Sequence, residues 1–355
     1  MNLEDLGYDA DLDLYRREQN LLSFEVGRVI EVHKERYIVR TGKNEFEAEI
    51  TGNLRFSANS RSDFPAVGDW VVFSLFDENI ALIHQILPRK TVLEREAVGK
   101  LGEKQLIAVN VDFAFLMQAV DRDFNLNRLE RYLTICYSAK VEPIIVLSKI
   151  DLINDNELQN RLNEIKSRIR KVMVIPISNQ DKAGYDKFKS TLRKGKTYCF
   201  LGSSGVGKST LINAILGKEE MKTKTISLST RKGRHTTTHR ELFVLTEGGI
   251  LIDNPGLREV GIADTADGLE ITFETIFQLS LNCQFSDCTH THEKGCAVLT
   301  ALEKGELDKA AYANYLKMER EKKRFQSSIA EKRKKDKEFG KMCKDAMKDR
   351  KRKKF

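Results

Sequence analysis

Between residues 21 and 90, apolar and polar positions alternate in short runs. Phe46, Ala48 and Ile50 alternate with Glu45, Glu47 and Glu49, the period-2 pattern of a strand with one buried face. Four further apolar runs, at 24–32, 36–41, 67–75 and 80–86, are separated by Gly, Asn, Asp and Ser turn residues. Five short strands in so small a segment predict an OB-type β-barrel, an architecture that often binds single-stranded nucleic acid. Trp70, the only tryptophan, lies within one of these runs and is expected in the core.

From residue 91 the pattern changes to strands alternating with helices. Apolar runs at 113–120, 144–147, 172–177, 198–201, 241–245 and 250–252 are interleaved with helical periodicity, including 129–137 and 157–170. Such alternation predicts a mostly parallel sheet covered by helices. Helical sequence returns from 308 to 334. The expected organisation is an N-terminal extension (1–20), an OB-type barrel (21–90), an α/β nucleotide-binding domain (91–267), a small, mostly helical domain (268–330) and a tail (331–355).

Charge alters the picture only at that tail. The net charge is +8, and residues 331–355 hold 13 Lys or Arg against 5 Asp or Glu, leaving 47 of each sign in the preceding chain. A segment such as KDRKRKKF has too little apolar surface to fold alone, and its expected partners are polyanions such as nucleic acid. No apolar run approaches the length of a membrane span, and the acidic N-terminus has no signal-like stretch. A soluble, cytoplasmic protein without membrane contact is expected. It is expected to be a monomer, since no heptad pattern predicts a coiled-coil dimer.

The strongest chemical signal is the phosphate loop Gly202-Ser203-Ser204-Gly205-Val206-Gly207-Lys208-Ser209, placed between a predicted strand and a helix. Its glycines let backbone amides turn toward phosphates, where a helix N-terminus also favours negative charge. Lys208 would bridge the β- and γ-phosphates, the Ser209 hydroxyl would bind Mg²⁺, and Thr210 follows on the same turn. Asp253-Asn254-Pro255-Gly256 follows the apolar run 250–252. Asp253 would hold Mg²⁺ and the Gly256 amide would sense the γ-phosphate. In the intervening loop, Gly233-Arg234-His235-Thr236-Thr237-Thr238 offers a threonine to complete the Mg²⁺ shell. Spacing does not choose among the three; Thr237 is taken as the ligand, with Thr238 beside the nucleotide.

Ser148-Lys149-Ile150-Asp151 resembles a guanine-recognition motif in which Ser148 stands where Asn is usual. Asp151 would accept from guanine N1–H and the exocyclic amine, Lys149 would lie along the base, and Ser178 would support the site. This motif precedes the phosphate loop, whereas ordinary GTPases have the reverse order. The domain is therefore expected to be circularly permuted, with its second switch running directly into the C-terminal module. Leu257 occupies the place of a water-orienting glutamine, so intrinsic hydrolysis should be slow. His235 is the candidate to position or deprotonate water.

Three of the six cysteines lie in Cys283-x₄-Cys288-x-His290-x₅-Cys296, a closed Cys₃His set suited to structural zinc, with His292 an alternative to His290.

The barrel, the permuted order, Gly-Arg-His-Thr-Thr-Thr at 233–238, Asp-Asn-Pro-Gly-Leu at 253–257 and the cysteine knuckle together resemble the ribosome small-subunit biogenesis GTPases, the RsgA or YjeQ family, over residues 21–325. The resemblance implies a GTPase acting late in maturation of the bacterial 30S subunit, converting GTP to GDP and phosphate. It also implies stimulation by that subunit, release coupled to hydrolysis, and 16S rRNA contact through the flanking domains. Within that resemblance His235 is the suspected water-positioning residue. An rRNA-binding scaffold with a purely structural nucleotide site is the alternative from another class, and an ATPase the alternative enzyme.

Overall fold

The computed structural model describes all residues except 34–35, 59, 78, 97–103, 122, 218–240, 246–247, 254–265 and 353–355. Five strands form the first domain: β1 (Glu25–Val32), β2 (Tyr37–Arg40), β3 (Glu45–Ile50), β4 (Trp70–Leu75) and β5 (Ile80–Ile86). They pair in the order β1-β2-β3-β5-β4, and β1 also pairs with β4, closing an OB-like barrel. A register shift between Val29 and Glu31 bends β1, so one strand serves both barrel edges. Alternation fills the interior with Val29, Val39, Val71, Phe73 and Ile83, all buried. A short helix, α2 (Gly52–Ser57), follows β3.

Residues 1–20 fold onto this barrel. Asp9 caps α1 (Ala10–Glu18) by accepting from the Leu12 amide, and Leu6 and Leu12 pack against the buried Trp70. Tyr8 meets Trp70 edge-on at 5.1 Å between ring centroids, so Trp70 is the core residue its sequence context predicts.

In the second domain, β6 (Val92–Glu96) and β7 (Lys104–Val109) make a separate hairpin that apolar periodicity did not indicate. The main sheet contains β8 (Phe113–Ala119), β9 (Glu142–Ser148), β10 (Met173–Pro176), β11 (Thr197–Gly202), β12 (Glu241–Val244) and β13 (Ile250–Asp253). Their order is β10-β9-β8-β11-β13-β12, with β12 antiparallel and the other neighbours parallel. Every residue of β8 is buried, as expected for a parallel strand covered on both faces. The helices are α3 (Leu126–Ser138), α4 (Asp155–Arg168), α5 (Tyr185–Lys189) and α6 (Lys208–Leu216). Connections from β8 wind one way through β9 and β10, while β11 starts the other side. The carboxyl ends of β8 and β11 therefore form the crevice in which open α/β sheets bind ligands.

Arg28 on β1 fastens these parts together at the opposite end of β11. Its buried guanidinium donates to Leu6 O (2.6 Å), Gly68 O (3.1 Å), Asn110 O (3.1 Å) and Thr197 Oγ1 (2.9 Å). Burial pushes its pKa down to about 10, against the pull of Asp112 and Asp69.

Four helices complete the chain: α7 (Ala266–Thr272), α8 (Glu274–Ser280), α9 (Ala297–Glu303) and α10 (Lys309–Arg352). Leu269, Phe273, Ile276, Val298, Ala301 and Met318 form their core. α10 continues into the basic tail as far as Arg352, as the extension of a helix packed upstream rather than as a segment folding alone. A helix nucleated and packed at Met318 and Phe325 extends at little further nucleation cost. Among the described residues, no helix is long and apolar enough to cross a membrane.

Candidate nucleotide and metal sites

The phosphate loop leaves β11 at Gly202 and enters α6 at Lys208. Gly205 (φ +82°) and Gly207 (φ +94°) adopt left-handed conformations that side chains disfavour, and a Cβ on Gly207 would collide with Asn179. Ser204 and Gly205 are exposed at the crest while Val206 is buried beneath. Ser209 and Thr210 occupy the first turn of α6. Lys208 Nζ donates to the carbonyls of Gly202 and Ser203, both at 2.5 Å. Burial lowers its pKa to about 8, while Asp253, buried at the end of β13, opposes that shift. An ammonium so poorly solvated gains strongly from an incoming phosphate, the property a phosphate-binding lysine needs.

Two loops from the β9–β10 side meet this one. Ser148, fully buried, donates to Val206 O at 2.7 Å. That hydroxyl therefore ties the end of β9 to the phosphate loop. Lys149 has φ +62° and turns the chain into a short 3₁₀ segment, Ile150–Leu152, which leaves Asp151 exposed. Lys149 Nζ pairs with Asp121 at 2.7 Å. After β10, the Ser178 hydroxyl accepts from the amides of Gln180 (3.1 Å) and Asp181 (3.4 Å), shaping that loop from a buried position. Its neighbour Asn179 reaches across, donating from Nδ2 to Gly207 O at 3.1 Å.

Sequence reasoning did not single out Asn179 or Arg128. Arg128, in the first turn of α3, donates to the Ser203 hydroxyl and is held by Asp123 at 2.6 and 3.0 Å. The same helix carries the C-terminal module. Arg131 pairs with Glu321 of α10 through contacts of 2.5 and 2.9 Å, and Thr134 donates to Thr272 of α7 at 2.9 Å. The buried Glu130 accepts from Arg168 (2.6 and 3.0 Å) and from Asn314 of α10 (2.6 Å). One helix thus touches the phosphate loop at its start and the C-terminal domain along its length. Sites predicted at His235, Thr236, Thr237, Thr238 and Gly256 lie outside the described residues.

The ligand atoms of Cys283, Cys288, His290 and Cys296 lie within 4.8 Å of one another, so they could hold a metal ion. His290 Nδ1 is 3.6 Å from Cys283 Sγ and 3.5 Å from Cys296 Sγ, and the two sulfurs are 3.8 Å apart. A tetrahedral centre with metal–sulfur bonds of about 2.3 Å requires sulfur–sulfur edges of about 3.8 Å and slightly shorter sulfur–nitrogen edges. The donor set fits. His290 is the fourth member, whereas the exposed His292 has its Nδ1 2.8 Å from the Thr291 hydroxyl. The Tyr312 hydroxyl donates to His290 O at 2.5 Å, joining the knuckle to α10.

This geometry agrees with the comparisons. A family model described as "RsgA GTPase" matches residues 86–263. The "Small ribosomal subunit biogenesis GTPase RsgA 1" of Bacteroides thetaiotaomicron is 40% identical over 349 residues, covering 98% of this chain and 97% of that protein. "Small ribosomal subunit biogenesis GTPase RsgA 2" of Lactiplantibacillus plantarum is 43% identical over 296 residues, 83% of each chain. Among solved structures, YjeQ from Thermotoga maritima superposes with a TM-score of 0.63 at 26% identity, over 86% of this chain and 98% of that one. YloQ, a circularly permuted GTPase, gives 0.60 at 26% identity, over 87% and 96%. A permuted order of motifs, a formed phosphate cradle, a Cys₃His cluster and relatives matched along nearly their whole length converge: the chain belongs to the RsgA GTPase family.

Proposed function

We propose that this protein is a GTPase acting late in maturation of the bacterial 30S subunit, triggered by that subunit and released from it on hydrolysis. The observation that carries the reading is the double attachment of α3, through Arg128 to Ser203 of the phosphate loop and through Arg131 to Glu321 of the C-terminal module. Engagement of that module by RNA would bear on the helix that steadies the phosphate loop, giving a physical route from partner to site.

In this reading Lys208 binds the β- and γ-phosphates, and Asp151 selects guanine with Lys149 along the base plane. Ser209, Thr237 and Asp253 would hold magnesium, which supplies charge neutralisation on the phosphates. His235 orients water in place of the glutamine that Leu257 replaces. Zinc is the metal that suits Cys283, Cys288, His290 and Cys296, since three thiolates and one imidazole leave no position for water and make the site structural. The barrel and the basic end of α10 contact 16S rRNA, and the protein works as a cytoplasmic monomer.

The test is phosphate release from GTP and from ATP, with and without purified 30S subunits. A GTP-specific acceleration by subunits, abolished in Lys208→Ala and strongly reduced in His235→Ala, supports the reading. Binding to subunits with no acceleration would leave the protein an RNA-binding scaffold.

A further inference from the structure

Position 148 poses a chemical question. The asparagine usual at this place in the base-recognition motif has a carboxamide that can donate and accept at once, whereas serine has a single hydroxyl proton. Ser148 commits that proton to Val206 O at 2.7 Å and is fully buried. A carboxamide stands across the cleft at Asn179. Its Nδ2 donates to Gly207 O at 3.1 Å, and its Oδ1 accepts from the Tyr185 hydroxyl at 2.9 Å. The Gly207 carbonyl, which can only accept, fixes which way the amide faces: nitrogen to the phosphate loop, leaving the oxygen to Tyr185. Val206 and Gly207 are consecutive, so the two base-side loops grip adjacent carbonyls at the point where the phosphate loop turns into α6.

We propose that Ser148 and Asn179 divide between them the work of the motif asparagine, and that Asn179 is a positioning residue on which guanine-nucleotide affinity depends. Ser148 holds the loop from beneath. Asn179 sets the Gly207 peptide, whose left-handed conformation aims the first amides of α6 at the phosphates. Because Asn179 directly follows Ser178 in the loop that borders the base, its grip also fixes the spacing between base and phosphate subsites. This proposal rests on the reading above that the cradle binds a guanine nucleotide.

The experiment measures GDP, GTP and ATP affinities by fluorescent-nucleotide titration for the full-length wild type, Asn179→Ala, Asn179→Asp, Tyr185→Phe, Ser148→Asn and Ser148→Asn/Asn179→Ala. Wild-type binding of GDP tests the underlying reading by itself. Given that binding, Asn179→Asp, nearly isosteric but without the donor, should weaken GDP and GTP about five- to tenfold with an unchanged melting temperature, and Tyr185→Phe less. Restoring an asparagine at 148 should return most of the affinity lost in Asn179→Ala, and the preference for GTP over ATP should fall and recover in parallel. A rescue that structural repair alone could not produce is the signature sought. Asn179→Asp binding as tightly as wild type overturns the proposal whether or not the Ser148→Asn proteins fold. A well-folded double variant as weak as Asn179→Ala overturns the division of roles.

Discussion

The Ser148 hydroxyl donates to the Val206 carbonyl at 2.7 Å, tying the end of the base-side strand β9 to the middle of the phosphate loop. Both residues are buried, so no water replaces the bond if the hydroxyl is removed. Ser148→Ala should lower unfolding free energy by about 1–3 kcal/mol, the penalty of an unsatisfied buried acceptor. GDP and GTP affinities should fall together, because the loop serves the phosphates common to both. Urea unfolding and nucleotide titration on the same preparation check this; loss of GTP affinity alone would place Ser148 at the γ-phosphate instead.

Arg28 supports a second prediction. It binds acceptors in the N-terminal segment, the barrel and the nucleotide domain, yet lies at the start of β11, away from the phosphate loop at its other end. Arg28→Met keeps much of the apolar stem and removes a donor from four acceptors, of which Gly68 O retains the Asn110 Nδ2 bond, while relieving the burial of a charge. The net loss should be on the order of 3 kcal/mol. Residues 1–20 should become the first site of limited proteolysis, with GDP affinity within about twofold of wild type if the distant domain stays folded. Early cleavage elsewhere would show that Arg28 does not secure that segment.

Much of this architecture is legible in the chain because it depends on local periodicity. The alternation at 45–50 and the apolar runs at 113–120 and 198–201 correspond to β3, β8 and β11 within a residue or two. The phosphate loop is legible for a related reason, since its backbone demands glycines at fixed places. What escapes is tertiary. Asn179 and Arg128 matter through side chains that cross to Gly207 and Ser203, 28 and 75 residues away in sequence, and nothing local marks them. The β6–β7 hairpin escapes because Val92–Glu96 interrupts its apolar positions with Glu94, Arg95 and Glu96. Residues 1–20 look like a polar extension because only a few leucines and Tyr8 reveal the face that covers Trp70.

Metal removal should separate the domains energetically. The core of the C-terminal module includes Cys296 itself, with Cys283 and Cys288 packed against it, so a small core depends on the closed donor set. Chelation under reducing conditions should release about one metal ion per chain, zinc in the reading proposed above, and Cys288→Ser should lack it. Hydrogen exchange should then rise across 266–325 and remain low in β8 and β11. A protein that keeps its C-terminal protection after complete metal loss would show that the helices suffice alone.

The last prediction concerns communication through α3. Arg131 and Glu321 form a two-contact pair whose side chains are 19% and 34% exposed, so solvent screens much of the attraction. Deleting it with Arg131→Ala should cost no more than about 1 kcal/mol of stability. Glu130 keeps its buried contacts with Arg168 and Asn314, and the module should stay docked. The Arg131–Glu321 pair joins α3 to α10, and Arg128 keeps its own contact with Ser203, so basal GTP turnover should be unchanged. Subunit-stimulated turnover should nevertheless fall several-fold, because a loosened pair transmits less of the module's engagement to the helix whose first turn holds Arg128 against Ser203. Glu321→Ala should match it, and the double variant should be no worse than either single one. Additive losses in stimulated turnover would mean that the two side chains act separately, and equal stimulation in all three proteins would remove α3 from the path between partner and nucleotide.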